Sequence, residues 1–180
     1  MNVECAVNFR RRSVDKHPPL DLRVERIERW IWGMFRSYHY MSAGLHRGVK
    51  CFGALSEGDC VGFCAVLHFP HPKNSHYRIH RLVVLPDWQG LGIGLLLLDT
   101  VGALYSALGR ELRMPAMHPS LIRSLDRSPR WSMTKRPGVF TTRNRPAKGR
   151  GVGFMGGRPT AVFCYVGSSE TLELARRMVA

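Results

Sequence analysis

The run Leu82-Val83-Val84-Leu85-Pro86-Asp87-Trp88-Gln89-Gly90-Leu91-Gly92-Ile93-Gly94 constrains this chain more than any other. Its apolar, β-branched start reads as a buried strand. A proline and a glycine-rich turn follow, and then an apolar, helix-like segment from Ile93 to Leu108. A strand therefore empties through a tight loop into the first turn of a helix. The amides of that first turn have no ladder partner and sit at the positive end of the helix dipole, so they bind phosphate. Gly90, Gly92 and Gly94 leave out the Cβ atoms that would hold a diphosphate away from those donors. Two other phosphate loops are excluded by spacing, since there is neither G-x-G-x-x-G nor a Gly-Lys-Ser/Thr ending. The bland alternative is a strand-to-helix connection whose glycines only allow close packing.

Charge is the second constraint. Lys and Arg number 27 against 13 Asp and Glu, a formal charge of +14. The excess is concentrated: Leu121 to Arg158 holds ten basic residues and one acid, Asp126, and Arg10-Arg11-Arg12 with Lys16 forms a smaller cluster. A solvated basic surface is the plain reading. A surplus this large points instead to a polyanionic partner, nucleic acid before an anionic membrane. Five cysteines (Cys5, Cys51, Cys60, Cys64, Cys164) contain no C-x-x-C pair, which suits reduced, core-filling thiols. His68, His71 and His76 match no zinc spacing, so no metal is expected. The apolar stretch Ile93 to Leu108 is too short to span a bilayer, and Met1 to Cys5 lacks the order of a secretory signal. A cytoplasmic protein is the expectation.

The 180 residues suffice for one domain with a proper core. Val3, Cys5, Val7 and Phe9 alternate like an edge strand. Arg10 to Pro19 is a basic connector. Asp21 to about Ser37 reads as a helix, with Leu22, Ile27, Trp30, Ile31, Met34 and Phe35 near one face. Val49 to Leu55 and Cys60 to Phe69 read as a hairpin around Ser56-Glu57-Gly58-Asp59. Tyr77 to Leu85 is the strand feeding the glycine turn. Further strands are expected at Glu111 to Met117, Trp131 to Arg136 and Thr160 to Val166, with a short helix at Pro119 to Asp126. Ser168 or Ser169 would cap a last helix running to Val179. The boundaries expected are 1–20 for an N-terminal strand and connector, 21–166 for the main domain with a basic, flexible loop at 134–158, and 167–180 for a tail.

Gln89-Gly90-Leu91-Gly92-Ile93-Gly94 reads [Gln/Arg]-x-x-Gly-x-[Gly/Ala], preceded by Val-x-Pro-x-x. It resembles the acetyl-CoA loop of the GCN5-related N-acetyltransferases, the GNAT superfamily, and the order of elements fits that family from Val49 to Val166. The resemblance implies an α/β fold with a mixed sheet that splays beside the glycine loop. It implies acetyl-CoA as co-substrate and direct transfer to an amine. Gln89, Gly90, Leu91, Gly92, Ile93 and Gly94 would bind the diphosphate, and Val83, Val84 and Leu85 would align the thioester.

The family often places a Glu base on the central strand. This chain has no acid between Cys60 and Leu85 and offers His80 and Arg81 there. His80 becomes the leading base because an ordinary imidazole titrates near working pH. The family's tyrosine acid would fall at Leu125 and its Gly-Phe at Arg130-Trp131, with Ser124 a weak substitute. The acceptor loop would fall at His39-Tyr40-Met41-Ser42, which adds His39 and Tyr40 to the candidate catalytic set. A weaker resemblance, carried by His39, Tyr40, Ser42 and Arg81, is to the phage DNA-modification enzyme Mom and its relatives, and it implies a nucleic-acid acceptor. In the family's layout the basic stretch Thr134 to Arg158 borders the acceptor and would steepen salt dependence. Three functions follow: an acyltransferase acting on nucleic acid or a nucleic-acid-associated macromolecule, a non-catalytic or Mom-like nucleic-acid protein, and a small-molecule acetyltransferase. The acid-poor acceptor half argues against the last.

Overall fold

Leu20-Asp21-Leu22-Arg23-Val24-Glu25 alternates apolar with charged, the period of a strand with one buried face, and Arg26-Ile27 follows. In the computed structural model, which describes residues 3–7, 20–39, 44–70, 72, 74–138 and 160–179, Leu20–Ile27 is strand β2. Leu22 and Val24 are buried while Asp21 and Arg23 face solvent. The helix expected from Asp21 is thus corrected. Only its second half is helical: a 3-10 turn at Arg29–Ile31, α1 (Trp32–Phe35) and a second 3-10 turn at Arg36–Tyr38. Pairing on both edges decides the strand, with β1 (Val3–Val7) on one side and β3 (Lys50–Ser56) on the other. The Arg10-Arg11-Arg12 cluster, Tyr40, Ser42 and residues 139–158 of the basic segment lie outside the described residues.

The remaining elements follow the expected order: β4 (Asp59–Phe69), β5 (His76–Val84), α2 (Ile93–Ala107), β6 (Leu112–Ala116), α3 (Pro119–Arg127), β7 (Trp131–Gly138), β8 (Thr160–Tyr165) and α4 (Leu172–Val179). Among the described residues the strands form one mixed sheet in the order β1-β2-β3-β4-β5-β6-β8-β7. Among these described strands only the β5–β6 pair is parallel. The cap of α4 is Thr171, whose Oγ1 accepts the Leu174 amide at 3.4 Å, rather than Ser168 or Ser169.

Both faces of the central strands are covered, which explains their nearly continuous apolar runs. Leu97, Leu98, Val101 and Leu104 of α2 pack on Phe52, Cys64 and Ile79, and Ala175, Met178 and Val179 of α4 close the same core. Trp32 and Phe35 lie on the opposite face against Phe63, Ala65 and Val83. The thiols of Cys51, Cys60, Cys64 and Cys164 are free, and burial pushes that of Cys64 far up, so it is a core hydrophobe.

A buried carboxylate ties α2 to the start of the edge strand β7. Asp99 accepts the Trp131 indole N–H at 2.7 Å and the Arg130 guanidinium at 2.8 Å. The exposed Arg130 can rehydrate, but the buried indole N–H cannot. Asp99→Ala should therefore destabilise the fold by about 2 kcal/mol, the penalty of an orphaned buried donor. Urea unfolding checks this, with unchanged midpoint as the contrary result.

Candidate active site

The parallel pairing of β5 with β6 is confined to Tyr77 opposite Leu112 and Arg78 opposite Arg113. Beyond Arg78 the two strands part. Pro115 of β6, with no amide to donate, fits a strand whose β5 side is bare. The register with β4 then fixes which β5 groups face the gap. Leu85 N–H bonds to Val61 C=O at 3.0 Å, and Val84 lies opposite Gly62. Backbone groups alternate along an antiparallel ladder, so Val83 and Leu85 point to β4, whereas Leu82 and Val84 point into the gap. The sequence reading of Val83 to Leu85 is refined accordingly: Val84 offers a free amide, Leu82 joins it, and Leu85 is committed to the sheet.

This bare edge leads into the glycine loop. Gln89 Nε2 donates to Val84 C=O at 3.0 Å and pins the loop to the strand it leaves. Gly90 and Gly92 both adopt φ +82°, and a Cβ at either would meet nothing within 4 Å. The conformation requires glycine, and the space above it is open. Gly94 differs, because a Cβ there would touch Val84 and Leu82 at 3.6 and 3.8 Å. The first ladder bond of α2 runs from Leu96 N–H to Gly92 C=O at 3.0 Å, and the N-cap residue Gly92 has no side chain to cap the helix. The amides of Ile93, Gly94 and Leu95 therefore precede the ladder as free donors. Leu91 is half-buried beside them and Ile93 is anchored in the core. Along the chain a bare strand edge is followed by open glycines and then by uncapped amides, the kinds of donor that a diphosphate joined to an extended amide-bearing arm calls for.

The other face carries the candidate chemistry. Between Ala65–Arg81 and Val66–Ile79 the β4–β5 register slips by one residue, a bulge at His80. Ile79 below it and Leu82 above it both face the α2 core, so the bulge turns His80 and Arg81 toward the α1 side. Arg81 is a clamp: its guanidinium donates to His80 C=O and to Gly44 C=O, both at 2.8 Å. Arg29 similarly holds Leu45 C=O at 2.8 Å. The His39 ring stands edge-on to Trp32 at 5.7 Å, and burial first, then Arg81, lower its pKa below that of an ordinary imidazole.

His80 is half-buried, and its Nδ1 is buried without a hydrogen-bond partner among the described residues. Burial first, then Arg81, His46, Arg78 and His39, hold its pKa down at about 4. The imidazole is thus neutral at pH 7, available to accept a hydrogen bond but surrounded by positive charge. A histidine depressed from 6.5 to about 4 binds fewer protons folded than unfolded in that window, so stability is full above pH 6.5 and falls as pH drops toward 4. Allowing for solvent screening of a half-exposed ring, the loss is on the order of 1 kcal/mol. Melting temperatures from pH 7 to 4 should fall less steeply in His80→Gln than in the parent, and parallel curves would contradict the shift.

The positions aligned with the family's acid do not supply one. Leu125 is fully buried, Arg130 and Trp131 serve Asp99, and Ser124 Oγ donates back to Ser120 C=O at 2.9 Å. Among the described residues, no group of His, Cys, Asp and Glu side chains is placed to hold a metal ion.

A sheet opened beside an uncapped, glycine-led helix is the architecture of an acetyltransferase. The model of the acetyltransferase (GNAT) family matches residues 20–110, just over half of the chain, and the chain belongs to that family. Solved structures with the same fold include the IAA acetyltransferase from Bacillus cereus ATCC 14579, at 16% identity and TM-score 0.54 over 80% of this chain and 98% of that one. The ribosomal-protein-S18-alanine N-acetyltransferase from Escherichia coli matches at 15% and 0.53, over 83% and 96%. Arabidopsis thaliana Naa50, in complex with the bisubstrate analogue CoA-Ac-MVNAL, matches at 14% and 0.55, over 81% and 99%. At these identities the likeness is one of fold. No curated protein matches the chain.

Proposed function

We propose that the protein transfers an acetyl group from acetyl-CoA directly to an amine, and that its favoured acceptor is a nucleic acid or a nucleic-acid-associated macromolecule. The observation that carries the transfer is the succession of donors along the chain from the Leu82 and Val84 amides to the free amides of Ile93, Gly94 and Leu95. Bound there, acetyl-CoA supplies an acyl group activated as a thioester. The Leu82 and Val84 N–H groups are the donors available to the carrier's amides and to the thioester carbonyl. His80 accepts the proton that the amine gives up, while Arg81 holds the bulge and the segment from Gly44 in place. The formal charge of +14 and the basic stretch from Leu121 to Arg158 support the nucleic-acid acceptor. A cytoplasmic setting goes with this co-substrate and with free thiols.

A second reading is supported by α3. With Leu125 in the core and Ser124 bonded to its own helix, α3 provides no acid for the leaving thiolate, as in a non-catalytic or Mom-like nucleic-acid protein. Incubation with labelled acetyl-CoA and separate pools of nucleic acid, protein and small amines distinguishes the two. Label entering the nucleic-acid pool is expected; CoA binding with no label in any pool would select the second reading. His80→Ala should lower turnover by roughly 100-fold with nearly constant CoA affinity, and unchanged turnover would remove it as the base.

A further inference from the structure

Arg78 occupies the vertex of the splayed sheet, as the last β5 residue still paired with β6. Its neighbour across that pair, Arg113, is matched by the carboxylate of Glu111. Among the described residues Arg78 has no such match. Its half-buried guanidinium has lost part of its hydration, and burial alone lowers its affinity for a proton. Among the described residues it meets the Phe69 ring at 5.4 Å and no carboxylate or hydrogen-bond acceptor. The groups that act on His80 beside it are all basic: Arg81, His46, Arg78 and His39. The composition around them is equally one-sided. Arg29 to Ser56, Cys60 to Pro86 and Arg127 to Ser169 contain no Asp or Glu at all.

A partly desolvated cation with no counter-charge is unfavourable in the free protein. Its planar fork is the shape that takes a carboxylate or phosphate through two parallel hydrogen bonds. Resting on the acetyl-transfer reading above, we infer that the acceptor amine belongs to a molecule that also carries an oxyanion, a phosphate or a carboxylate, and that Arg78 is the residue that binds it. Cationic polyamines are repelled by the same cluster. Recognition and chemistry are then linked. An oxyanion beside Arg78 offsets the positive field on His80 and makes its imidazole a better proton acceptor when the right acceptor is in place.

The test titrates the CoA-saturated protein at constant ionic strength with inorganic phosphate, acetate and spermidine, following the His80 ring by NMR. CoA occupies the glycine loop, so a second anion is read by itself. Saturable shifts with phosphate or acetate are expected, the tighter of the two naming the anion class, with no response to spermidine. Arg78→Gln should weaken the anion by tenfold or more. Arg78→Lys, which keeps the charge and loses the fork, should fall between. Equal anion affinity in Arg78→Gln and the parent, or spermidine binding more tightly than either anion, would overturn the assignment. CoA binding is measured separately by calorimetry. Absent CoA binding with an intact, Arg78-dependent anion response would sink the acetyl-transfer reading alone.

Discussion

Gly92→Val should remove acyl-CoA binding while leaving a folded protein. Position 92 has φ +82° and ψ −2° and ends the loop on the first turn of α2. A β-branched residue there is strained by about 1–2 kcal/mol, and its methyl groups would stand in space that is now open. On the proposed reading, the diphosphate approaches the uncapped amides of Ile93, Gly94 and Leu95 through this open side of the loop to within hydrogen-bond distance. Keeping it one carbon layer away forfeits the charge-assisted bonds, so affinity should fall by on the order of 100-fold, about 2.7 kcal/mol. Gly94→Ala is the internal control. Its Cβ makes ordinary contacts with Val84 and Leu82 and helps the helix by a few tenths of a kcal/mol or more. Calorimetry with CoA should lose its signal in the first variant and keep it in the second. Equal CoA affinity in parent and Gly92→Val would mean that the loop only joins β5 to α2.

The glycine loop, α2 and the hairpin before them are legible because each is a local pattern: an apolar run, a turn, a set of closely spaced glycines. The strand at Leu20–Ile27 reads as the start of a helix because Ile27, Trp30 and Ile31 stand at i, i+3 and i+4, a helical spacing that begins inside it. The deciding signal was the strict alternation from Leu20 to Val24, which only pairing with β1 and β3 turns into stability. Long-range register set the rest. Nothing local says that Leu85 N–H is spent on Val61, and so nothing local says that Leu82 and Val84 are the amides left bare. The bulge that brings His80 to the same face as Arg81 is likewise a property of two strands. Its consequence runs against the simple reading of the residue, since an imidazole ordinarily poised near neutrality is held at about 4 by its surroundings. Arg78 left one trace in the sequence, the lack of any acid from Cys60 to Pro86. That absence gains meaning only once β5 and β6 are seen to part beside it.

Gly102→Ala tests the packing that holds the site's main helix, and the sign of its effect is decisive. By helix propensity alone, alanine inside α2 should stabilise by about 1 kcal/mol. The structure requires the opposite. A Cβ at Gly102 would lie 2.3, 2.6 and 2.7 Å from Cδ2, Cγ and Cε2 of Tyr165. Those are rigid ring atoms, and the ring cannot retreat. Its hydroxyl donates to Ser168 C=O at 2.9 Å, and its edge meets Trp131 at 5.2 Å. Trp131 in turn is fastened to Asp99, one turn before Gly102 on the same helix. Either α2 moves off β8 or Tyr165 leaves its rotamer, so the loss should reach about 3 kcal/mol. For a chain of this length that lowers the melting temperature by roughly 6–12 °C. Tyr165→Leu in the same background should recover part of the loss, because the two positions share one contact and their effects cannot add. A rise in stability for Gly102→Ala would mean that α2 does not press on Tyr165 of β8, and would move the start of the helix, with its free amides, away from the bare edge of β5.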